Sequence, residues 1–80
     1  MTKAEVIDVI TKHIHENLED LEVKEIDPGK SMMEYGADSL DVIEVVSCSM
    51  RELKIKIPRT ELSDIKTIGE LAEAFLKHMD

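Results

Sequence analysis

Eighty residues carry 18 acidic against ten basic side chains, a formal charge of −8 that repels phosphate backbones and anionic surfaces and so excludes nucleic acid as a partner. With one Phe, one Tyr and no Trp, a chain of this length builds a single small core from Ile, Leu, Val and Met, which predicts one domain over residues 1–80. The lone cysteine, Cys48, excludes an internal disulfide, and no apolar run is long enough for membrane insertion or a signal core; a cytoplasmic location is expected, with Cys48 as a small core or flank residue.

In chain order, Thr2-Lys3-Ala4-Glu5 has the form of a capping box, and Ile7, Ile10, Ile14, Leu18 and Leu21 follow at steps of three and four, predicting a first amphipathic helix that frays between Asn17 and Glu22. His13 and His15 stand two apart, a spacing that turns them to different faces, so they read as surface histidines rather than as a metal pair. No metal site is expected. Residues 22–38 form a long, ordered connection with Val23 and Ile26 as apolar anchors. Asp27-Pro28-Gly29 is a turn in which Gly29 can take a positive φ, and Ser31-Met32-Met33-Glu34 predicts one short helical turn closed by Gly36.

From Ser39 to about Leu53 the apolar arc is broad: Leu40, Val42, Ile43, Val45, Val46, Met50 and Leu53 leave mainly Asp41, Glu44, Cys48, Arg51 and Glu52 for water. Such an arc fits a helix packed centrally in a bundle, or one that borders a groove for an apolar ligand; the first is the expectation. Lys54-Ile55-Lys56-Ile57 alternates like a strand but is too short and runs into Pro58, so it reads as loop. Thr60–Asp64 predicts a single short turn. Thr67-Ile68-Gly69-Glu70 caps a last helix striped by Ile68, Leu71, Ala72, Phe75, Leu76 and Met79 and running almost to Asp80. The fold class is therefore all-α, a four-helix bundle of three main helices and one short one, with the long loop between the first two crossing one end.

Catalysis is poorly supplied. Ser39 lies in no Gly-x-Ser-x-Gly elbow, the nearest histidine, His15, belongs to a different helix, and the carboxylates are solvated, so the chain is not expected to be an enzyme. A serine at a helix mouth is most often a cap, yet one flanked by Gly36-Ala37-Asp38 and by Asp41 and Glu44 also suits a modification: a phosphate there meets free N–H groups and the positive end of the helix dipole. The neighbouring acids give a simple regulatory phosphate little, but serve as handles for an enzyme that must find the hydroxyl.

Gly36-Ala37-Asp38-Ser39-Leu40-Asp41, with Glu44 one turn on, Ile57-Pro58 and the final amphipathic helix, resembles an acyl carrier protein over nearly the whole chain, in its stand-alone form. The resemblance implies the acyl-carrier fold and a 4′-phosphopantetheine arm attached to Ser39 from coenzyme A by a magnesium-dependent phosphopantetheinyl transferase, acyl groups being held as thioesters. It further implies a partner face on Asp38, Leu40, Asp41, Glu44 and Ile57, read by that transferase and by acyltransferase, ketosynthase and related enzymes, on a monomer. Met50 and Arg51, followed by Lys54, Lys56 and Arg59, depart from the acidic pattern of fatty-acid carriers. This favours a carrier of polyketide or other secondary-metabolite synthesis over fatty-acid synthesis, and Ile57-Pro58-Arg59-Thr60-Glu61-Leu62 with Ile68-Gly69-Glu70-Leu71-Ala72 is similar to the discrete carriers of β-branching cassettes in polyketide assembly. The alternative is a helical interaction module in which Ser39 is only a structural cap.

Overall fold

The computed structural model describes residues 1–18, 21 and 25–79, for Arg59 the main chain alone. It is all-helical in these residues: α1 (Lys3–Asn17), a 3-10 turn (Met32–Tyr35), α2 (Ser39–Leu53), a one-turn α3 (Arg59–Leu62) and α4 (Ile68–Lys77). Each of the long helices starts at a reciprocal cap. In α1 the Thr2 hydroxyl accepts the Glu5 N–H at 3.2 Å while the Glu5 carboxylate accepts the Thr2 N–H at 2.9 Å. In α4 the Thr67 hydroxyl accepts the Glu70 N–H at 3.1 Å, and Glu70 reaches back to the N–H groups of Thr67 and Lys66 at 3.0 and 3.1 Å. These bonds hold both carboxyls below the usual range, for Glu5 chiefly through the Thr2 main chain and for Glu70 through Lys66 and Thr67.

The core is aliphatic around one ring. Val6, Ile10 and Ile14 of α1, Val45 of α2, and Ile68, Leu71, Ala72 and Phe75 of α4 are almost wholly removed from water. α1 lies extensively against both α2 and α4, so it is the central helix, the place the sequence had suggested for α2. The buried stripe of α1 is Val6, Ile10, His13 and Ile14, with Ile7 only partly covered, which rotates the helix from the expected stripe and corrects the reading of His13 as a surface residue. His13 stands one turn on from Ile10 and faces α2, where its Nε2 meets the Glu52 carboxylate at 2.8 Å; its Nδ1 lies 3.1 Å from Glu16 but out of line for a hydrogen bond. Lys12 joins the same Glu52 oxygen at 2.6 Å, and the two contacts, that of Lys12 first, depress the Glu52 carboxyl.

α1 ends at Asn17; residues 19, 20 and 22–24, and with them the expected anchor Val23, lie outside the described set, as does Asp80 beyond α4, which stops at Lys77. The remaining part of the connection is ordered by specific bonds. The Asp27 side chain accepts the Gly29 N–H at 2.8 Å and Tyr35 Oη accepts the Asp27 N–H at 2.8 Å. Gly29 needs no positive φ. Gly36 does: at φ 95° it closes the 3-10 turn in the left-handed region, its N–H bonding to Met33 at 3.0 Å.

The loop is then docked on α4. Ile68 N–H donates to Lys30 C=O at 3.0 Å and Gly69 N–H to Pro28 C=O at 2.8 Å, so two donors that a helix start leaves orphan are satisfied by the crossing loop. At Gly69 a Cβ would stand 3.1 Å from the Pro28 carbonyl oxygen, which is why this first turn carries glycine.

Candidate functional site

The site is assembled where the loop becomes α2. Gly36 turns the chain, Ala37 is buried as its footing, and Asp38 takes an extended conformation as the N-cap of α2. The Asp38 carboxylate accepts the Asp41 N–H at 2.9 Å, and the Asp41 carboxylate accepts the Asp38 N–H at 3.1 Å. This corrects the alternative in which Ser39 is the cap: the capping is done by two aspartates, and Ser39 is the first residue of the helix proper.

Ser39 is exposed, and among the described residues none hydrogen-bonds its hydroxyl. The first intrahelical bond runs from Val42 N–H to Asp38 C=O at 3.0 Å and the box takes the Asp41 N–H, which leaves the N–H groups of Ser39 and Leu40 as donors beside that hydroxyl. A phosphodiester on Ser39 Oγ would therefore meet two main-chain donors and the positive end of a 15-residue helix. Among the described residues no histidine hydrogen-bonds the hydroxyl; His13 is engaged with Glu52 near the opposite end of α2, and His78 pairs with Glu61. The site suits attachment rather than nucleophilic turnover.

Of the expected recognition residues, Asp38, Leu40 and Glu44 are exposed around Ser39, and Asp41 is half-buried by its cap role. Leu40 is 76% exposed and Ile43 56%, against the reading that placed both on the buried arc. Ile57 stands apart. It is buried in the wall of a cleft of about 710 Å³, of which Val42, Ile43, Val46 and Met50 form the α2 side and Leu71 part of the α4 side. The wide apolar arc of α2 is thus explained by this cleft more than by centrality: only Val45, Val46 and Ser49 of the helix are buried.

Sequence reasoning missed Met33, which is 59% exposed and borders the same cleft; it follows buried Met32 in a single 3-10 turn, where adjacent residues must point apart. Among the described residues no three His, Cys, Asp or Glu side chains gather at metal-binding distance, and no helix is long and apolar enough to cross a membrane.

The family described as "Phosphopantetheine attachment site" matches residues 8–75. The chain belongs to this acyl carrier family. Among its relatives, the polyketide biosynthesis acyl-carrier-protein AcpK of Bacillus subtilis is 41% identical over 73 residues, covering 91% of this chain and 89% of the relative. The acyl carrier protein of Wolinella succinogenes is 36% identical, over 84% and 83% of the two chains. A chain in the crystal structure of the curacin biosynthetic pathway HMG synthase in complex with acetyl donor-ACP superposes with a TM-score of 0.83 at 37% identity, covering 94% of this chain and 96% of that one.

The carrier accordingly holds its acyl groups on covalently attached 4′-phosphopantetheine, works with acyl-processing enzymes, and belongs to a family that is not itself catalytic. The group's thiol supplies the thioester linkage. The α2 start fits the group's phosphodiester through the uncommitted hydroxyl and the two N–H donors just described.

Proposed function

We propose that Ser39 bears the 4′-phosphopantetheine arm and that this carrier serves polyketide synthesis, presenting thioesters to a dedicated condensing partner of the HMG-synthase kind. One observation carries the first part: the Ser39 hydroxyl is exposed at the first position of α2 while Asp38 and Asp41 do the capping, so the fold leaves that oxygen unspent. Asp38, Leu40, Asp41 and Glu44 form the face on which phosphopantetheinyl transferase, acyltransferase and ketosynthase-type enzymes settle, the acids steering and the exposed Leu40 supplying apolar contact. Ile57 acts from inside, as cleft wall. The pathway assignment is supported by the likeness to AcpK and to the acetyl donor-ACP chain, and by the bases Arg51, Lys54 and Lys56 that follow the acidic start of α2.

The carrier works as a monomeric single domain in the cytoplasm. The test is incubation with coenzyme A, magnesium and a promiscuous phosphopantetheinyl transferase: intact mass rises by one arm in the wild type and not in Ser39→Ala. Arm addition to Ser39→Ala, or none to the wild type, overturns the reading. Acylated protein offered to an HMG synthase and to fatty-acid enzymes tests the pathway. Faster turnover by the fatty-acid enzymes contradicts it.

A further inference from the structure

The apolar cleft beside Ser39 has an unusual electrostatic border for this chain. Eighteen of the 80 residues are acidic, yet no carboxylate lines the cleft among the described residues; the charged side chains that border it are Lys56 and Lys66. Both are exposed and neither makes an ion pair among the described residues: Asp64, two residues before Lys66, lies outside the cleft lining and forms none with it, and the Glu70 carboxylate is bonded to main-chain N–H groups. On α2, Ser39, Val42, Ile43, Val46 and Met50 follow at steps of three and four, so they form one stripe. The stripe leads from the hydroxyl into the cleft and covers about 16 Å of helix axis from Ser39 to Met50.

We infer that the cleft selects acyl cargo whose far end carries a carboxylate, the methylene stem lying on the Val46–Met50 wall and the carboxylate at the rim with Lys56 and Lys66. The inference rests on Ser39 bearing the arm and concerns what the arm carries. A charge at the phosphodiester itself is not what Lys56 meets: that lysine follows the end of α2 opposite Ser39. Exposed pairs of this kind are worth about two- to fivefold each in occupancy, and the apolar stem adds its own burial equally for charged and uncharged cargo.

The experiment uses the full chain bearing hydrolysis-resistant amide analogues of the arm, loaded with butyryl or with succinyl, groups of equal length that differ in the terminal carboxylate. Cleft occupancy is read by amide chemical shifts of Val46, Met50 and Ile57 and by the ammonium signals of Lys56 and Lys66. The expected result is occupancy several-fold higher for succinyl, reduced in the Lys56→Gln, Lys66→Gln double variant and by added salt, with butyryl indifferent to both. Equal occupancy by the two cargoes overturns the inference, as does a double variant that leaves succinyl unmoved, or the same shifts from the arm without cargo, which would make the arm's phosphate the anion. Failure of the arm to attach at all would instead remove the carrier reading on which the inference stands, and is seen separately in the intact mass.

Discussion

Ser39 and Asp38 are neighbours with opposite duties, and substitution separates them. Asp38 caps α2 through the Asp41 N–H, so Asp38→Ala should cost about 1 kcal/mol in urea unfolding. Ser39 has no such bond, and Ser39→Ala should stay within about 0.5 kcal/mol of wild type while losing the arm. A Ser39→Ala loss as large as that of Asp38→Ala would mean the hydroxyl has a structural task. Ser49 offers a second residue-scale test, because it is fully buried in α2 with no partner for its hydroxyl among the described residues. Removing a buried unsatisfied group relieves its desolvation, so Ser49→Ala should match or exceed wild-type stability, by up to about 1 kcal/mol in thermal or urea unfolding.

Among the elements, the helices were largely legible because their starts are written locally. Thr2/Glu5 and Thr67/Glu70 have the spacing and residue types of capping boxes, and both form. Asp38/Asp41 forms one too, although the sequence marks the two only as recognition residues, since aspartate at the third helical position is not the usual Glu or Gln. Periodicity located α1 but not its rotation: Val6 and Ile7 both fit a stripe, and the choice is made by packing against α2 and α4, which also buries His13. The docking of the loop on α4 through Pro28 and Lys30 carbonyls left no sequence signal beyond Gly69. Gly69→Ala tests that contact. Alanine gains helix propensity, up to about 1 kcal/mol in a helix interior and less at the second position of α4, but its Cβ presses on a carbonyl already held by the Gly69 N–H. The variant should be less stable by about 1 kcal/mol, with faster amide exchange at Ile68 and Gly69. Unchanged exchange there would show that the loop gives way freely.

At the scale of the whole molecule, the excess of acids is anchored by a few pairs that tie helices together: Lys3 to Glu73 between α1 and α4, and Lys12 with His13 to Glu52 between α1 and α2. The carboxyls of Glu5, Glu52 and Glu70 are all lowered in the folded state, through hydrogen bonds from main-chain N–H groups or from Lys12 and His13. A lowered folded pKa means the unfolded chain takes up protons first. The stabilisation is therefore present above about pH 4.3, the ordinary glutamate value, and is lost as pH falls through the folded values. Urea midpoints measured from pH 7 to pH 3 should fall, and Glu52→Gln should flatten the lower part of that curve; a midpoint independent of pH would contradict it. The cleft belongs to this scale as well. The sequence showed an apolar arc too wide for a surface helix, but only the assembled α2, α3–α4 connection and α4 reveal that part of it borders open space.

On the proposed reading, the unspent hydroxyl at the start of α2 is where the carrier holds its arm. The most direct measurement is fragmentation mass spectrometry of wild-type protein after transferase treatment, which assigns the arm to one residue among the serines at 31, 39, 47, 49 and 63. The whole of the added mass should lie on Ser39. An arm found on any other residue, or an armed protein with Ser39 unmodified, would contradict it.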